Sequence, residues 1–423
     1  MNKVLSQALH TTQYNTWTNG IKKGLLSLNQ SMQNFVTAQS KALIPYIEAE
    51  SGLSIAKGYP CPCKVYLLSP KVLELYYQGT PKNPSDFYDI DRQAQFIAET
   101  LVERMERYPH LVGSDVEKAL QKLSQRIDQE LAQLESDEYL CLDEYETLAN
   151  RFDLEPITDF NTPNLDELSL EAPDELLRII KDLDQSSKAI QLADDDLNHP
   201  KYHLRHQLEL ILDLINADEE VNRCDREKTI TDPLAVYKSQ RSYTHSTHPK
   251  SMIRDAQPMI ELYSLKIALC TENIKSTLIG LTTKVLVHEL SHWNTHLGLD
   301  SDLQTWLSFH DADKLSIEGS AQDLTLRSLE RMASSYFTHK PARRRLAVLA
   351  LIAFYQLNVN QTKPYRIHRD WLKYSKETRR KALQILRTQS GQYHKSIELY
   401  EYMLQGIGDL KSTGLMSSNV IPF

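Results

Sequence analysis

Glycine is scarce in this sequence, at 13 of 423 residues. All-β architectures use glycine at many tight turns, so the shortage disfavours them and favours long helices. Cysteine is sparse and odd in number: Cys61, Cys63, Cys141, Cys224 and Cys270. Their scatter argues against a disulfide framework. Cys61-Pro62-Cys63 lacks a second Cys or His pair at zinc-finger spacing and reads as free thiols beside a turn. Long apolar runs are also missing. No window reaches the ~18 residues a membrane span needs. The best run, Leu346 to Leu357, reads as a buried core helix. The N-terminus, MNKVLSQALHTTQYNTW, has no continuous apolar stretch and is not a conventional secretory signal. The expected location is therefore cytoplasmic, with export by a route that uses no cleaved signal left open. There is no broad basic face either. The net charge is −8 and charges of both signs are interspersed, which argues against a nucleic-acid partner. Arg343-Arg344-Arg345 is the densest basic run and reads as the solvated end of a helix.

What is present is ordinary for a soluble globular chain: 41% hydrophobic and 25% charged residues. The length predicts two or three structural units. Ile21, Leu25, Leu28, Met32 and Phe35 recur at steps of four and three, one apolar face of a long helix that should end near Pro45. Residues 59–69 read as a turn and a short strand, followed by an N-cap at Ser69-Pro70. Helical periodicity resumes over 91–108 and 114–135, and again over 174–197 and 200–221. Residues 225–258 are polar and proline-bearing, and a unit boundary is placed there. Residues 259–270 fit a strand pair or a helix. Helical patterns dominate beyond 275.

The informative stretch is Lys284-Val285-Leu286-Val287-His288-Glu289-Leu290-Ser291-His292-Trp293. On a helix, residues four apart lie one turn up and only about 40° round. His288 and His292 can therefore offer two ring nitrogens to one metal ion. Glu289 lies about 100° round from His288, placed to flank the ion without ligating it. That is the arrangement a metal hydrolase needs. The ion acidifies water, and a nearby carboxylate takes the proton as the water attacks a carbonyl.

A catalytic zinc keeps three protein ligands and one open position. His296 is one further turn along the same helix, but three ligands at four-residue steps on a straight helix diverge. Gly298 and Leu299 cannot ligate. Asp311 and Asp313 lie in the following loop. Glu318 opens a new helical pattern whose small residues at 319–321 would let it approach the first helix, and it is favoured. His199, His203 and His206 read as a solvated helix face rather than a second metal site, and His245 and His248 as loop residues.

The pair HExxH with a downstream E-G-x-A resembles the gluzincin zinc metallopeptidases, the thermolysin-like group. The separation of His292 from Glu318, and Gln322, also look like the helical oligopeptidases of the thimet type. The likeness covers roughly residues 284–324. It implies His288, His292 and Glu318 as zinc ligands, Glu289 as general base, and a peptide or protein as substrate. Gln322 stands where thermolysin would have an aspartate orienting a ligand histidine; its side-chain carbonyl can accept that N–H bond with less electrostatic support, or Asp323, next along, can serve instead. An oxyanion donor is also needed. The C-terminal region offers Tyr355, Tyr365, His368, Tyr374, Tyr393 and Tyr402 besides His394 and Tyr400. The stretch Tyr393-His394…Tyr400-Glu401-Tyr402 resembles the His/Tyr-rich segment of the helical oligopeptidases, which puts His394 and Tyr400 forward. The expected fold is mainly α with a small β element: a helical N-terminal unit over 1–235 and a multi-helical, zincin-like catalytic unit over 236–423. Residues 262–270 are the nearest candidate for a substrate-aligning edge strand. The competing functions are a zinc-stabilised helical interaction protein without catalysis, and a structural helical protein carrying a chance motif.

Overall fold

A computed structural model describes residues 2–56, 63–70, 73, 88–105, 113–135, 234–239, 258–274, 276–306, 309, 312, 314–334, 337–358, 363–372 and 374–389. Its elements in chain order are α1 (Asn2–Ser51), β1 (Cys63–Tyr66), α2 (Ile90–Met105), α3 (Gly113–Glu135), β2 (Ala235–Lys238), β3 (Met259–Tyr263), α4 (Ser264–Ile274), α5 (Leu278–Leu297), α6 (Lys314–Ala333), α7 (Pro341–Asn358), α8 (Lys363–Arg366), α9 (His368–Trp371) and α10 (Lys376–Gln389). The described chain is thus mainly helical with one small sheet. The strand order is β1-β3-β2, with β1 parallel and β2 antiparallel to β3. The ambiguous stretch 259–270 is both things in turn, a fully buried strand and then a helix.

The apolar stripe of α1 is buried from Ile21 to Ile47. It packs on α3 at Gly24, where a Cβ would lie only 2.8 Å from that of Leu120. The helix does not end near Pro45. Proline removes one backbone donor, but the turn beyond it is held from outside. Ile47 is buried in the core, and the Glu50 carboxylate is gripped by Arg327, Arg331 and Lys376. The helix stops at Gly52, whose φ of 76° suits the left-handed residue that closes a helix.

α5 is the hub. Every residue from Leu278 to Thr295 is buried, and α1, α6 and α7 pack around it. Its N-terminus is capped twice. Thr277 accepts from the Gly280 N–H, and the buried Glu130 carboxylate of α3 accepts from Leu278 and Ile279 at 3.1 and 2.9 Å. The apolar run 346–357 lies within α7 and is core, apart from partly buried positions on its outer side. Arg344 and Arg345, expected at a solvated helix end, are instead half-buried. They donate to the Ala333 and Leu134 carbonyls, and so satisfy last-turn acceptors of α6 and α3. One hydrophobic cluster runs from Ile21 to Ala353, and the expected boundary at 235/236 falls on the first residues of β2.

Candidate metal centre

α5 presents His288 and His292 from successive turns, and α6 crosses it to supply Glu318. His288 Nε2 and His292 Nε2 lie 3.2 Å apart. Glu318 Oε2 is 3.1 Å from the first and 3.2 Å from the second. A tetrahedral ion with bonds of about 2.0–2.1 Å separates its ligand atoms by about 3.3 Å. The three atoms therefore match one face of such a tetrahedron, and the donor set of two imidazoles and a carboxylate suits zinc. Among the described residues, this is the group of His, Cys, Asp and Glu side chains that converges in this way.

His296 is not part of it. Its Nδ1 is 2.7 Å from the Tyr237 hydroxyl. Asp311, Asp313, His394 and Tyr400 lie outside the described residues, as do His199, His203, His206, His245, His248 and Cys61. Cys63 and Cys270 are free thiols.

The centre is largely buried, and its electrostatics follow from that. Burial holds His288 well below the usual imidazole range, to about 3. Burial pulls His292 the same way, but the charges of Glu318 and Glu289 outweigh it and raise that ring. The Glu318 carboxyl is held low: burial raises it, and the charge of His292 with hydrogen bonds from both imidazoles overcomes the rise. Burial pushes Glu289 up to about 7. Lys284, one turn before His288, is buried with its ammonium 5.7 Å from the Phe354 ring centre, and burial lowers it to about 8. Nδ1 of His288 and of His292 has no partner among the described residues. The second bond that usually orients a ligating imidazole is therefore not supplied by them.

Asp323 does not supply it. Five residues after Glu318 it points about 140° round the helix, where Arg327 and Arg379 each approach it at 3.0 Å. Gln322, one turn from Glu318, is fully buried.

Glu289 meets the sheet. Glu289 accepts from the backbone N–H of Tyr237. The register explains how. Tyr263 N–H bonds to the Leu234 carbonyl, so the paired residues 234/263 and 236/261 exchange the ladder bonds. Ala235 and Tyr237 must then point their backbone groups away from β3, off the outer side of β2. The edge of the described sheet beside His288, His292 and Glu318 is thus β2, and not 262–270, because β3 is the central strand.

Tyr365 completes the group. Its ring centre is 5.8 Å from that of His288, and its hydroxyl bonds to Glu318. Burial first, then the charges of Glu318 and Glu289, raise its pKa and keep it protonated. Gly319 explains its placement. A Cβ there would lie 2.4 Å from the Trp371 ring and 2.5 Å from Ile367. The glycine admits α8 and α9 onto α6, rather than bringing α6 onto α5. His368 Nδ1 donates to the Tyr365 carbonyl at 2.9 Å and ties the two short helices together. Tyr365 is one of many C-terminal tyrosines in the sequence, and the Pro364 before it is the sole local cue to a fixed helix start.

Compared with protein-family models, with curated proteins and with solved structures, the chain matches none. Among the described residues, no helix is long and apolar enough to cross a membrane.

Proposed function

We propose that this chain is a zinc-dependent metallopeptidase of zincin-like build, hydrolysing peptide bonds with Glu289 as general base. One observation carries the reading: three lone-pair donors from two helices converge within 3.1–3.2 Å, with a carboxylate one residue from the first of them. His288, His292 and Glu318 would hold the ion. Zinc supplies Lewis-acid polarisation of a carbonyl and acidifies water. Glu289, oriented by the Tyr237 N–H, takes a proton from the attacking water and returns it to the leaving nitrogen. Tyr365, neutral and already donating to Glu318, turns its hydroxyl to the developing oxyanion. The outward N–H and C=O of Ala235 and the C=O of Tyr237 offer an extended peptide a strand to pair with.

Deep burial of the ligands, with side-chain exposures of 6%, 7% and 15%, favours one other reading, a zinc staple in a helical interaction protein. One experiment separates them. The full chain is loaded with zinc and assayed on a library of quenched peptides, beside Glu289→Gln. The peptidase reading expects cleavage by the wild type, and a variant that keeps its zinc but loses about 10³-fold in rate. Zinc binding with no cleavage by the wild type supports the staple. Undiminished cleavage by Glu289→Gln contradicts the mechanism.

A further inference from the structure

Tyr237 touches the metal centre at two separated points. Its backbone N–H donates to Glu289. Its side chain reaches from the strand to the last turns of α5. The hydroxyl is 2.7 Å from His296 Nδ1, and the ring lies within 11° of parallel to the His292 imidazole at 6.4 Å. Phe309 closes the side. It stands edge-on to Tyr237 at 5.9 Å and to His292 at 6.4 Å, and stacks on His296 at 4.6 Å.

We propose that Tyr237 is a positioning residue, and that its bond to His296 locks the outer edge of β2 over the helix that carries the base and the ligands. Glu289 and His296 are seven residues apart, about 10 Å along the helix axis. Two attachments at that spacing stop the strand from rocking or sliding along α5, whereas one attachment leaves a pivot. β2 is only four residues long and pairs with β3 alone among the described strands, so its own ladder holds it weakly. The geometry also selects the residues. A tyrosine is long enough to cross from strand to helix and ends in a donor. With the Tyr237 hydroxyl as donor, His296 accepts at Nδ1 and carries its proton on Nε2. On this account His296 acts as the receiving half of a clamp, and Tyr237 sets where Glu289 stands.

The kinetic half of the test rests on the peptidase reading, while amide exchange does not. The variants are Tyr237→Phe, His296→Leu, the double variant, and His296→Asn, whose amide oxygen falls near the position of Nδ1. Each is made in the full, zinc-loaded chain. Tyr237→Phe is expected to speed amide exchange in segment 234–239 about tenfold. It should also lower kcat about tenfold, with KM unchanged within about twofold, because orientation of the base and not substrate binding is lost. His296→Leu should match it, the double variant should be no worse than either, and His296→Asn should restore most of both readouts. Unchanged exchange in Tyr237→Phe overturns the clamp whether or not the chain cleaves peptides. A rise in KM at constant kcat also overturns it, since the hydroxyl would then contact substrate. So does a double variant whose losses multiply. A wild type that cleaves nothing while the exchange response holds removes the peptidase reading and leaves the clamp standing. If Tyr237→Phe fails to fold, His296→Asn and His296→Leu decide between the same outcomes: faster exchange in the leucine variant alone supports the clamp, and equal exchange in both overturns it.

Discussion

The two helices that bring His288, His292 and Glu318 together are held by different chemistry. α5 is anchored at its N-terminus, where the Glu130 carboxylate of α3 receives two backbone N–H groups and is steadied by Arg126. α6 is anchored along its length by buried charges. Asp323 lies between Arg327 and Arg379, and Arg327 and Arg331 reach the Glu50 carboxylate of α1, which Lys376 of α10 also approaches. A cap of the first kind replaces water on groups that every helix leaves unsatisfied, so losing it costs little more than a hydrogen bond or two. A network of the second kind contributes modestly when intact but costs several kcal/mol when one partner is removed, because the remaining charges stay buried. Both anchors come partly from the N-terminal helices. Their contribution to the metal centre is thus to hold α5 and α6 at one crossing.

Breaking the charged anchor should have the largest effect. Glu50→Gln leaves Arg327, Arg331 and Lys376 facing one another and should cost about 3–5 kcal/mol, read by urea unfolding of the metal-free chain. A loss below about 1 kcal/mol would show that α1 does not hold α6. Acid should act on the same side of the molecule. Burial lowers His368 from 6.5 to about 4. The unfolded chain therefore binds this proton at a higher pH than the folded one. The stability from a neutral His368 is complete above about pH 6.5 and is lost as pH falls towards 4, about 3 kcal/mol in all. His368→Gln should flatten the stability–pH curve of the metal-free chain in that window. A curve that keeps its slope would show that His368 titrates normally.

Tyr365, carried on the α6 side through Gly319, should matter for rate and not for metal. Tyr365→Phe is expected to lower kcat about 10²-fold, equivalent to about 2.7 kcal/mol, at unchanged zinc content. A drop in zinc content instead would make the hydroxyl a support for Glu318. The smallest effect should come from the neutral anchor. Glu130→Gln keeps one acceptor for the α5 N-terminus and should cost about 1–2 kcal/mol. A cost equal to that of Glu50→Gln would erase the distinction between the anchors.

Legibility in the sequence follows the range of each interaction. His288 and His292 share one helix, so their convergence is a matter of helical period, and Glu318 follows at the head of the next helix. The long stripe of α1 can be read for the same reason, but its run past Pro45 cannot. That turn is held by Arg327, Arg331 and Lys376, far along the chain. Gly319 points in the sequence to the wrong neighbour, because a glycine announces a close approach without saying what approaches. β2 is hidden in a polar stretch. Four residues, Ala235-Val236-Tyr237-Lys238, are too few to show a period, and their role comes from pairing with β3. Tyr237 and Tyr365 enter the site from elements remote in sequence, so no motif around them singles them out among 21 tyrosines.

Zinc titration of the full chain, by competition with a chromophoric chelator, tests the central claim most directly. One tight equivalent per chain is predicted, lost in His292→Ala and weakened at least about 10²-fold in Glu318→Gln. No tight zinc, or one that survives His292→Ala, would contradict it.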